Sequence, residues 1–188
     1  MTNVYIGLGS NLGDRKSFIE EAIAQILTIE GVEYVRVSSL YETSPTDGAE
    51  GDAFYNAVLH VTFPGNAYDL FTATQEIERE MGRERADGEV YIPREIDIDI
   101  LLFGSEIINS GALVIPHPRM SNRLFVLVPL CDIATDIEFP GTEQYMSDIL
   151  EATVEKVKSV QQIKQLANQI EVRFPEEDSQ GNDEGENS

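Results

Sequence analysis

The sequence predicts an α+β fold: a ferredoxin-like βαββαβ core (an α-β plait) with an added hairpin and a C-terminal helix. One observation behind this prediction is the order of the strand-like and helix-like periodicities, which is strand, helix, strand, strand, helix, strand. The other is size, because 188 residues of which 41% are hydrophobic suffice for one domain with a core and are too few for two. We expect one domain over residues 1–174 and an acidic disordered tail over residues 175–188.

The chain begins with an apolar strand, "NVYIGLGS", which is followed by a helix. The helix is predicted to start between Asp14 and Ser17, where Ser17 and Glu20 have the spacing of a capping box, and to stop at Gly31. "VEYVRVSSLYETS" predicts the second strand, and the stretch over 45–52, rich in Gly and acidic residues, predicts a flexible loop.

The third strand, "FYNAVLHVTF", divides its residues into two faces. Alternate residues from Tyr55 to Phe63 form an apolar face, and the opposite face carries Phe54, Asn56, His60 and Thr62. A helix is then predicted from about Ala67 to Met81, with its apolar residues on one side and its end at Gly82.

The fourth strand lies in "PREIDIDILLFG", where carboxylates alternate with isoleucines. A period of two places Glu95, Asp97, Asp99, Leu101 and Phe103 on one face, and Ile96, Ile98, Ile100 and Leu102 on the other face, toward the core. Neighbouring carboxylates on one face repel each other and resist desolvation unless a cation neutralises them. Because no Cys or His is near in the sequence, oxygen ligands of this kind suit magnesium. The simpler alternative is an ordinary solvated face of a sheet.

The second half of the chain is less regular. "LLFGSEIINS" predicts a hairpin that turns at Gly104 and Ser105, and "IPHPRMSNRLFVLVPL" predicts a proline-held loop that leads into an apolar helix or strand. The apolar spacing over 147–172 predicts a helix that packs on the sheet.

The glycine-rich start, "GLGSNLGDR", is not a dinucleotide-binding fingerprint, because the third glycine comes one place too late and no phosphate-loop lysine follows. Gly13 is better explained by a turn between strand and helix. At Gly9 a second explanation stays open, the close approach of a flat ligand.

The formal charge of −21 argues against a nucleic-acid or anionic-membrane partner. The segment over 175–188 contributes six acidic residues and no basic one, and it has too few apolar residues to order itself. Cys131 lies alone in an apolar run, which predicts a small core residue in a reducing compartment. No signal peptide and no run long enough to span a bilayer are evident, so we expect a cytoplasmic protein.

Six arginines and no lysine occur between Arg79 and Arg123. The planar fork of arginine suits bidentate recognition of phosphate. Eight acidic residues share the same window, so surface ion pairs are the alternative explanation for any one of these arginines.

Five blocks of sequence resemble, in order, the 6-hydroxymethyl-7,8-dihydropterin pyrophosphokinase family: "YIGLGSNLGDR", "YETSP", "FYNAV", "PREIDIDILLFG", and "IPHPRM" with "NRLFVLVPL". The resemblance covers roughly Asn3 to Pro140. It implies a ferredoxin-like enzyme of folate biosynthesis that transfers the intact diphosphate of ATP to the hydroxymethyl group of the reduced pterin and releases AMP. It implies ATP and pterin as small-molecule partners, two Mg²⁺ ions as cofactors, and a cytoplasmic monomer that binds neither nucleic acid nor membrane.

The resemblance also implies roles for individual residues. The catalytic residues would be Arg83, Arg94, Asp97 and Asp99: the two aspartates would hold the two magnesium ions, and the two arginines would lie around the phosphates. The nucleotide-binding positions are Gln75, Glu78, Arg83, Arg94, Ile100, His117 and Arg123. The pterin-binding positions are Gly9, Thr43, Phe54, Asn56, Asp97 and Phe125, of which the two phenylalanines would sandwich the ring while Asn56 and Thr43 read its hydrogen-bonding edge.

The chain departs from the family pattern in the loop "RERADGEVYIPR", which carries acidic residues where the family commonly has a basic segment ending in Trp-Gly-Pro-Arg. Pro118 replaces an aromatic residue of some members, and Ala112 and Val114 replace polar ones. Three other classes remain as alternatives: another metal-dependent nucleotide enzyme such as a nucleotidyltransferase, a ligand-binding regulatory module without catalysis, and a structural protein.

Overall fold

A computed structural model describes residues 1–44, 52–82, 95–157 and 160–175 of the chain. It shows a mixed α/β protein with an antiparallel sheet and four α-helices in these residues. The elements are β1 Thr2–Ser10, α1 Arg15–Ile26, β2 Glu33–Val37, β3 Tyr41–Thr43, β4 Phe54–Phe63, α2 Ala67–Glu80, β5 Asp97–Phe103, β6 Ile108–Asn109, β7 Val114–Ile115, α3 Leu124–Ile133, α4 Met146–Val157 and β8 Ile163–Gln165. A single 3₁₀ turn, Met120–Asn122, precedes α3.

The main sheet has the strand order β5-β1-β4-β3-β8, and β2 pairs with a different part of β4. All pairs in this sheet are antiparallel. Because β1 runs between β4 and β5, the end of β1 lies beside the beginnings of both neighbours. This corner of the sheet is where the polar residues identified in the sequence meet.

The core has two parts, one on each face of the main sheet. On one face, α1 and α2 pack against the isoleucines of β5 and the apolar residues of β1 and β4, as the strand periodicity predicts. On the other face, α3 and α4 cover a second cluster that contains Tyr5, Val58, Leu127 and Leu130. Cys131 belongs to this second cluster, which confirms it as a small core residue, and burial raises the pKa of its thiol to about 11.

The first helix begins as predicted, but its cap is different from the predicted one. Asp14 is the N-cap, and its carboxylate accepts hydrogen bonds from the backbone N–H of Ser17 at 3.2 Å and from the Ser17 hydroxyl at 2.8 Å. The predicted capping box of Ser17 and Glu20 is therefore wrong. Glu20 instead pairs with Lys16 and accepts the backbone N–H of Glu171.

A bulge in β5 changes the predicted faces of its last residues. Ile6 of β1 pairs with Ile100, and Tyr5 pairs with Leu102, so Leu101 is an extra residue without a partner in β1. Beyond the bulge, the side chains of β5 lie on the faces of the sheet opposite to those that a regular period of two would give them. Leu102 packs with the second core cluster, and Phe103 packs with the cluster of the isoleucines. The prediction that Leu102 follows the isoleucines and Phe103 follows the acidic residues is wrong.

Three predictions for other strands and turns are also corrected. The segment predicted as the second strand forms two strands, β2 and β3, separated at Ser38, whose hydroxyl accepts the N–H of Val58 at 2.9 Å. The hairpin of the second half pairs β6 with β7 and turns between Ser110 and Leu113, not at Gly104 and Ser105. The latter pair bends the chain after β5, and the Gly104 N–H donates to the carbonyl of Asn3 at 2.7 Å.

The C-terminal part is a helix followed by a strand, which differs from the single helix predicted over 147–172. Helix α4 ends at Val157 and packs against α3, and the strand β8 pairs with β3 at the edge of the sheet. Leu166, Ile170 and Val172 then pack against the first core cluster. No helix within the described ranges is long and apolar enough to cross a membrane.

Candidate active site

The floor of the candidate site is made by two glycines of β1. In the sheet register, Gly9 lies between Asn56 of β4 and Asp97 of β5, and Gly7 lies between Val58 and Asp99. A Cβ atom placed on Gly9 would lie 3.4 Å from Asn56 Oδ1 and 3.9 Å from Asp97 Cβ. The absence of a side chain therefore leaves a flat surface between an amide and a carboxylate, where a planar ligand can approach the backbone.

Helix α3 supplies the opposite wall. Arg123 and Phe125 line the cavity above the two glycines, and the Arg123 guanidinium carbon lies 5.2 Å from the centre of the Phe125 ring. The lining residues are Gly7, Leu8, Gly9, Asn56, Ala57, Val58, Asp97, Asp99, Leu101, Arg123, Phe125 and Val126. Six residues named from the sequence are thus brought together: Gly9, Asn56, Asp97, Asp99, Arg123 and Phe125.

A buried hydrogen bond orients the amide of the site. Asn56 Nδ2 donates to Thr43 Oγ1 at 2.9 Å, and both side chains are buried. Thr43 comes from β3, where it pairs in register with Phe54, the first residue of β4. Phe54 is half-buried and, two residues before Asn56, lies on the same face of the strand. The structure therefore groups three of the residues predicted to bind the pterin, Thr43 of β3 and Phe54 and Asn56 of β4.

Asp97 and Asp99 lie on the same face of β5 and are half-exposed, whereas Ile98 and Ile100 between and beside them are buried. Among the described residues, no group of three or more His, Cys, Asp and Glu side chains could hold a metal ion. Two neighbouring carboxylates nevertheless fit magnesium, because that ion takes one or two protein carboxylates and completes its octahedron with water and substrate phosphates. The donor set fits such an ion.

His117 stands beside the carboxylate pair, with its Nε2 atom 3.8 Å from Asp99 Oδ2. Burial, together with the positive charges of Arg123 and Arg119, lowers the pKa of His117 to about 4, although the negative charge of Asp97 opposes this shift. The ring is therefore neutral near pH 7, and its contact with Asp99 is not an ion pair. Its backbone N–H donates to the carbonyl of Leu101 at 3.0 Å, which holds the segment against β5.

Glu78 and Gln75 lie on α2 behind the carboxylate-bearing strand. Glu78 is 1% exposed, and its Oε1 atom accepts the backbone N–H of Ile98 at 2.8 Å. Its Oε2 atom accepts a hydrogen bond from Gln75 Nε2 at 2.9 Å. Besides the nucleotide contact expected of it, Glu78 thus fixes the strand at the residue between Asp97 and Asp99.

The remaining predicted residues are not all in the cavity. The Ile100 side chain is buried in the core with the helices α1 and α2. Arg83 and Arg94, together with the loop that departs from the family pattern, lie outside the described residues.

Sequence reasoning missed several residues of the site. Gly7 and Val58 could have been found from the same period of two that located Gly9 and Asn56. The same period places Leu101 on the face of Asp97 and Asp99, where its side chain lies against Gly7, and only the bulge at this residue depends on pairing with β1. Arg15 was also missed: it contacts the carbonyl of Ala53 and lies 3.9 Å from the centre of the Tyr55 ring, which holds the chain just before Phe54.

A carboxylate pair, an arginine, and a ring beside a fixed amide form the kind of site with which small α/β enzymes handle phosphate groups and flat substrates. Solved structures share the fold. A Plasmodium falciparum HPPK-DHPS protein superposes with a TM-score of 0.65 at 16% identity, over 84% of this chain and 45% of that one.

The sequence itself matches the family model of 7,8-dihydro-6-hydroxymethylpterin-pyrophosphokinase (HPPK) over residues 5–135, and the chain belongs to this family. Members of the family transfer pyrophosphate from ATP to hydroxymethyldihydropterin in folate synthesis, and this is the function of the chain. The resemblance stated from the sequence is confirmed.

Curated relatives agree with the family assignment. The 2-amino-4-hydroxy-6-hydroxymethyldihydropteridine pyrophosphokinase of Bacillus subtilis is 42% identical over 144 residues, which are 76% of this chain and 84% of the relative. The Porphyromonas gingivalis enzyme of the same name is 42% identical over 136 residues, 71% of this chain and 92% of the relative. A folic acid synthesis protein of Pneumocystis carinii is 43% identical over 152 residues, but the match spans only 20% of that longer protein.

Proposed function

We propose that the chain carries out the transfer of diphosphate from ATP to the pterin hydroxymethyl group, with release of AMP, in the cavity between β1, β4, β5 and α3. The observation that carries this proposal is the register that places Gly9 between Asn56 and Asp97. It provides a surface for a flat ring, with a hydrogen-bonding amide on one side and a charged, metal-capable edge on the other.

In this proposal the pterin lies against Gly9 between the rings of Phe54 and Phe125, and its polar edge meets Asn56 and Thr43. The hydrogen bond from Asn56 Nδ2 to Thr43 Oγ1 supports this orientation, because it holds the amide with its acceptor Oδ1 beside Gly9. A buried amide that loses its ligand partner is costly, and such sites discriminate strongly between substrates.

Asp97 and Asp99 hold two magnesium ions in this proposal. When bound there, magnesium would supply neutralisation of the ATP phosphates and alignment of the attacking hydroxyl with the β-phosphorus. The carboxylates themselves orient the substrates at the edge of the sheet, and neutral His117 beside Asp99 adds no positive charge that would compete with a cation. The half exposure of both carboxylates is consistent with a shell completed by water and phosphate.

The nucleotide is bound, in this proposal, by Gln75, Glu78, Arg83, Arg94, Ile100, His117 and Arg123. Arg123 lines the cavity next to Phe125, which supports a place for the phosphates between the pterin and the carboxylate pair. For Ile100, burial of the side chain leaves the backbone as the group that would meet ATP. The catalytic roles of Arg83 and Arg94, which lie outside the described residues, rest on the resemblance of the sequence.

We further infer a ferredoxin-like plait as the core, a single domain over residues 1–174 with a disordered acidic tail over residues 175–188, and a cytoplasmic monomer without nucleic-acid or membrane partners. The strand order β5-β1-β4-β3, with α1 and α2 on one face, supports the plait. The formal charge of −21 supports the absence of nucleic-acid and anionic-membrane partners.

A product assay tests the proposed function. The full-length protein is incubated with ATP, the reduced pterin and magnesium, and nucleotide products are separated over time. AMP should form in proportion to pterin consumed, and both magnesium and pterin should be required. Pyrophosphate as a product would indicate a nucleotidyltransferase, and ligand binding without any turnover would indicate a binding module; either result would refute the proposal.

A further inference from the structure

The side chain of Gln161 holds the backbone on both sides of Arg123. Its Oε1 atom accepts the N–H of Leu124 at 2.9 Å, and its Nε2 atom donates to the carbonyl of Asn122 at 3.0 Å. One amide thus bridges the segment that presents Arg123 and Phe125 to the cavity. Gln161 lies outside residues 5–135, the part of the chain that matches the family model.

Helix α3 needs such a partner because of the residue at its N-cap. The first N–H groups of a helix lack acceptors within the helix, and Ser, Thr, Asn or Asp at the N-cap usually supplies one. Here the N-cap is Arg123, whose side chain has no acceptor atom and makes no capping hydrogen bond. Gln161 supplies the acceptor from 37 residues away, so that an arginine can occupy the cap position at the site.

The residues that follow Gln161 hold the other wall of the site. The carbonyl of Gln162 accepts the N–H of Ser44 at 3.3 Å, and Ile163 pairs in register with Thr43. Thr43 in turn accepts the hydrogen bond of Asn56. Three consecutive residues therefore join the wall that carries Phe125 to the wall that carries the Thr43–Asn56 pair.

We propose that Gln161 is a positioning residue, which sets Arg123 and Phe125 at the correct distance from Thr43 and Asn56. The inference rests on the proposed function only in assigning the pterin to the space between these two walls. This positioning favours the bound substrate and the transition state equally. Loss of Gln161 should therefore weaken substrate binding and leave the rate of the chemical step almost unchanged.

Three variants of the full-length protein test this proposal. Gln161→Ala removes both hydrogen bonds, and Gln161→Glu keeps an acceptor for Leu124 but loses the donor to Asn122. Gln162→Ala is the matched control, since its neighbouring side chain is exposed and only its backbone is used. For each variant, calorimetry gives the dissociation constants of ATP and pterin, single-turnover kinetics gives the rate of the chemical step, and NMR gives hydrogen exchange at the Leu124 amide.

Gln161→Ala should raise the pterin dissociation constant by about tenfold, the size expected for one or two net hydrogen bonds. It should leave the single-turnover rate within about twofold of wild type and accelerate exchange of the Leu124 amide. Gln161→Glu should keep that amide protected and bind pterin with intermediate affinity, and Gln162→Ala should match wild type.

The proposal would be overturned if the Leu124 amide of Gln161→Ala exchanged as slowly as in wild type. It would also be overturned if Gln161→Ala bound pterin as tightly as Gln162→Ala does. A loss confined to the rate of the chemical step would overturn it as well. Should Gln161→Ala fail to fold, unprotected Leu124 in Gln161→Glu would contradict the capping role. If wild type bound both ligands without transferring diphosphate, the proposed function would fail. Hydrogen exchange of the Leu124 amide and the pterin dissociation constants would still decide the role of Gln161.

Discussion

The proposed metal site depends most on the negative charges of Asp97 and Asp99. Asp97→Asn and Asp99→Asn keep the shape of each side chain and remove its negative charge. Each change should lower magnesium-dependent turnover by about 10²-fold or more, as loss of a preorganised electrostatic group commonly does. The melting temperature should stay equal or rise slightly, because two half-exposed carboxylates two residues apart repel each other.

Turnover across a magnesium titration, together with thermal melts, measures both effects. Asp136→Asn changes an exposed carboxylate three residues after the end of α3; it is the control and should behave as wild type. Near-normal turnover in both site variants would show that the carboxylate pair does not bind the catalytic metal.

His60 gives a prediction for stability against pH. Its ring stacks on Tyr5 at 4.4 Å between centres, Nε2 lies 2.9 Å from Asn3 Oδ1, and Nδ1 has no hydrogen-bond partner among the described residues. Burial lowers the pKa of His60, and the positive charge of Arg36 lowers it further. The unfolded chain therefore binds the proton more readily than the folded one. The neutral ring therefore makes its full contribution to the free energy of unfolding above the pKa of the unfolded chain, about 6.5. This contribution declines as the pH falls below that value.

The measurement is the free energy of unfolding by urea between pH 7.5 and 5.5, for wild type and His60→Gln. The difference in free energy of unfolding between the two proteins should shrink as the pH falls, because only wild type loses the stabilisation that the neutral His60 ring provides. A difference that is constant across this range would contradict a lowered pKa for His60.

Among the elements, β5 depends on a side chain from α2. Glu78 is buried and accepts the N–H of Ile98, the residue between the two aspartates. Glu78→Ala would leave this buried donor without its acceptor, at a cost of roughly 1–3 kcal/mol in the free energy of unfolding, and turnover should fall because Asp97 and Asp99 lose their support. Glu78→Gln keeps one acceptor and should cost less.

Glu76→Ala, an exposed site on the same helix, is the matched control for Glu78. Chemical denaturation and turnover are measured on all three variants. If Glu78→Ala matched the control in stability, the hydrogen bond to β5 would not support the strand.

The elements also show how far sequence reasoning reaches. Helices α1 and α2 and the faces of β4 were predicted because their periodicity is local. The alternation of acidic residues and isoleucines in β5 was predicted for the same reason, and it located the carboxylates of the site. The bulge at Leu101 was not predicted, because it arises from pairing with β1. The strand β8 was not predicted either, since three residues become a strand only beside β3.

At the scale of the whole molecule, the acidic C-terminus should be dispensable. Residues 175–188 carry six acidic residues and no basic one, and the sequence offers no apolar anchor there. Deletion of residues 175–188 should leave turnover and melting temperature almost unchanged, and both are measured against the full chain. A large loss in either would show that the segment docks on the domain.

The site itself was predicted in part from the sequence and in part from the resemblance. Strand period alone placed Asn56 with Phe54 and Asp97 with Asp99. Only the fold brings these two pairs together, because Gly9 of β1 lies between Asn56 and Asp97 in the sheet. The place of Arg123 and Phe125 depends on how α3 packs across the sheet, which no local pattern contains.

In the proposed reaction an intact diphosphate passes from ATP to the pterin in this cavity. The most direct measurement uses ATP labelled at the β-phosphate, full-length protein, magnesium and the reduced pterin in a single turnover. The label should leave the nucleotide and be recovered in the pterin product, with unlabelled AMP formed in equal amount, and Asp97→Asn should suppress this transfer. Label recovered in ADP or in free pyrophosphate, with no labelled pterin, would contradict it.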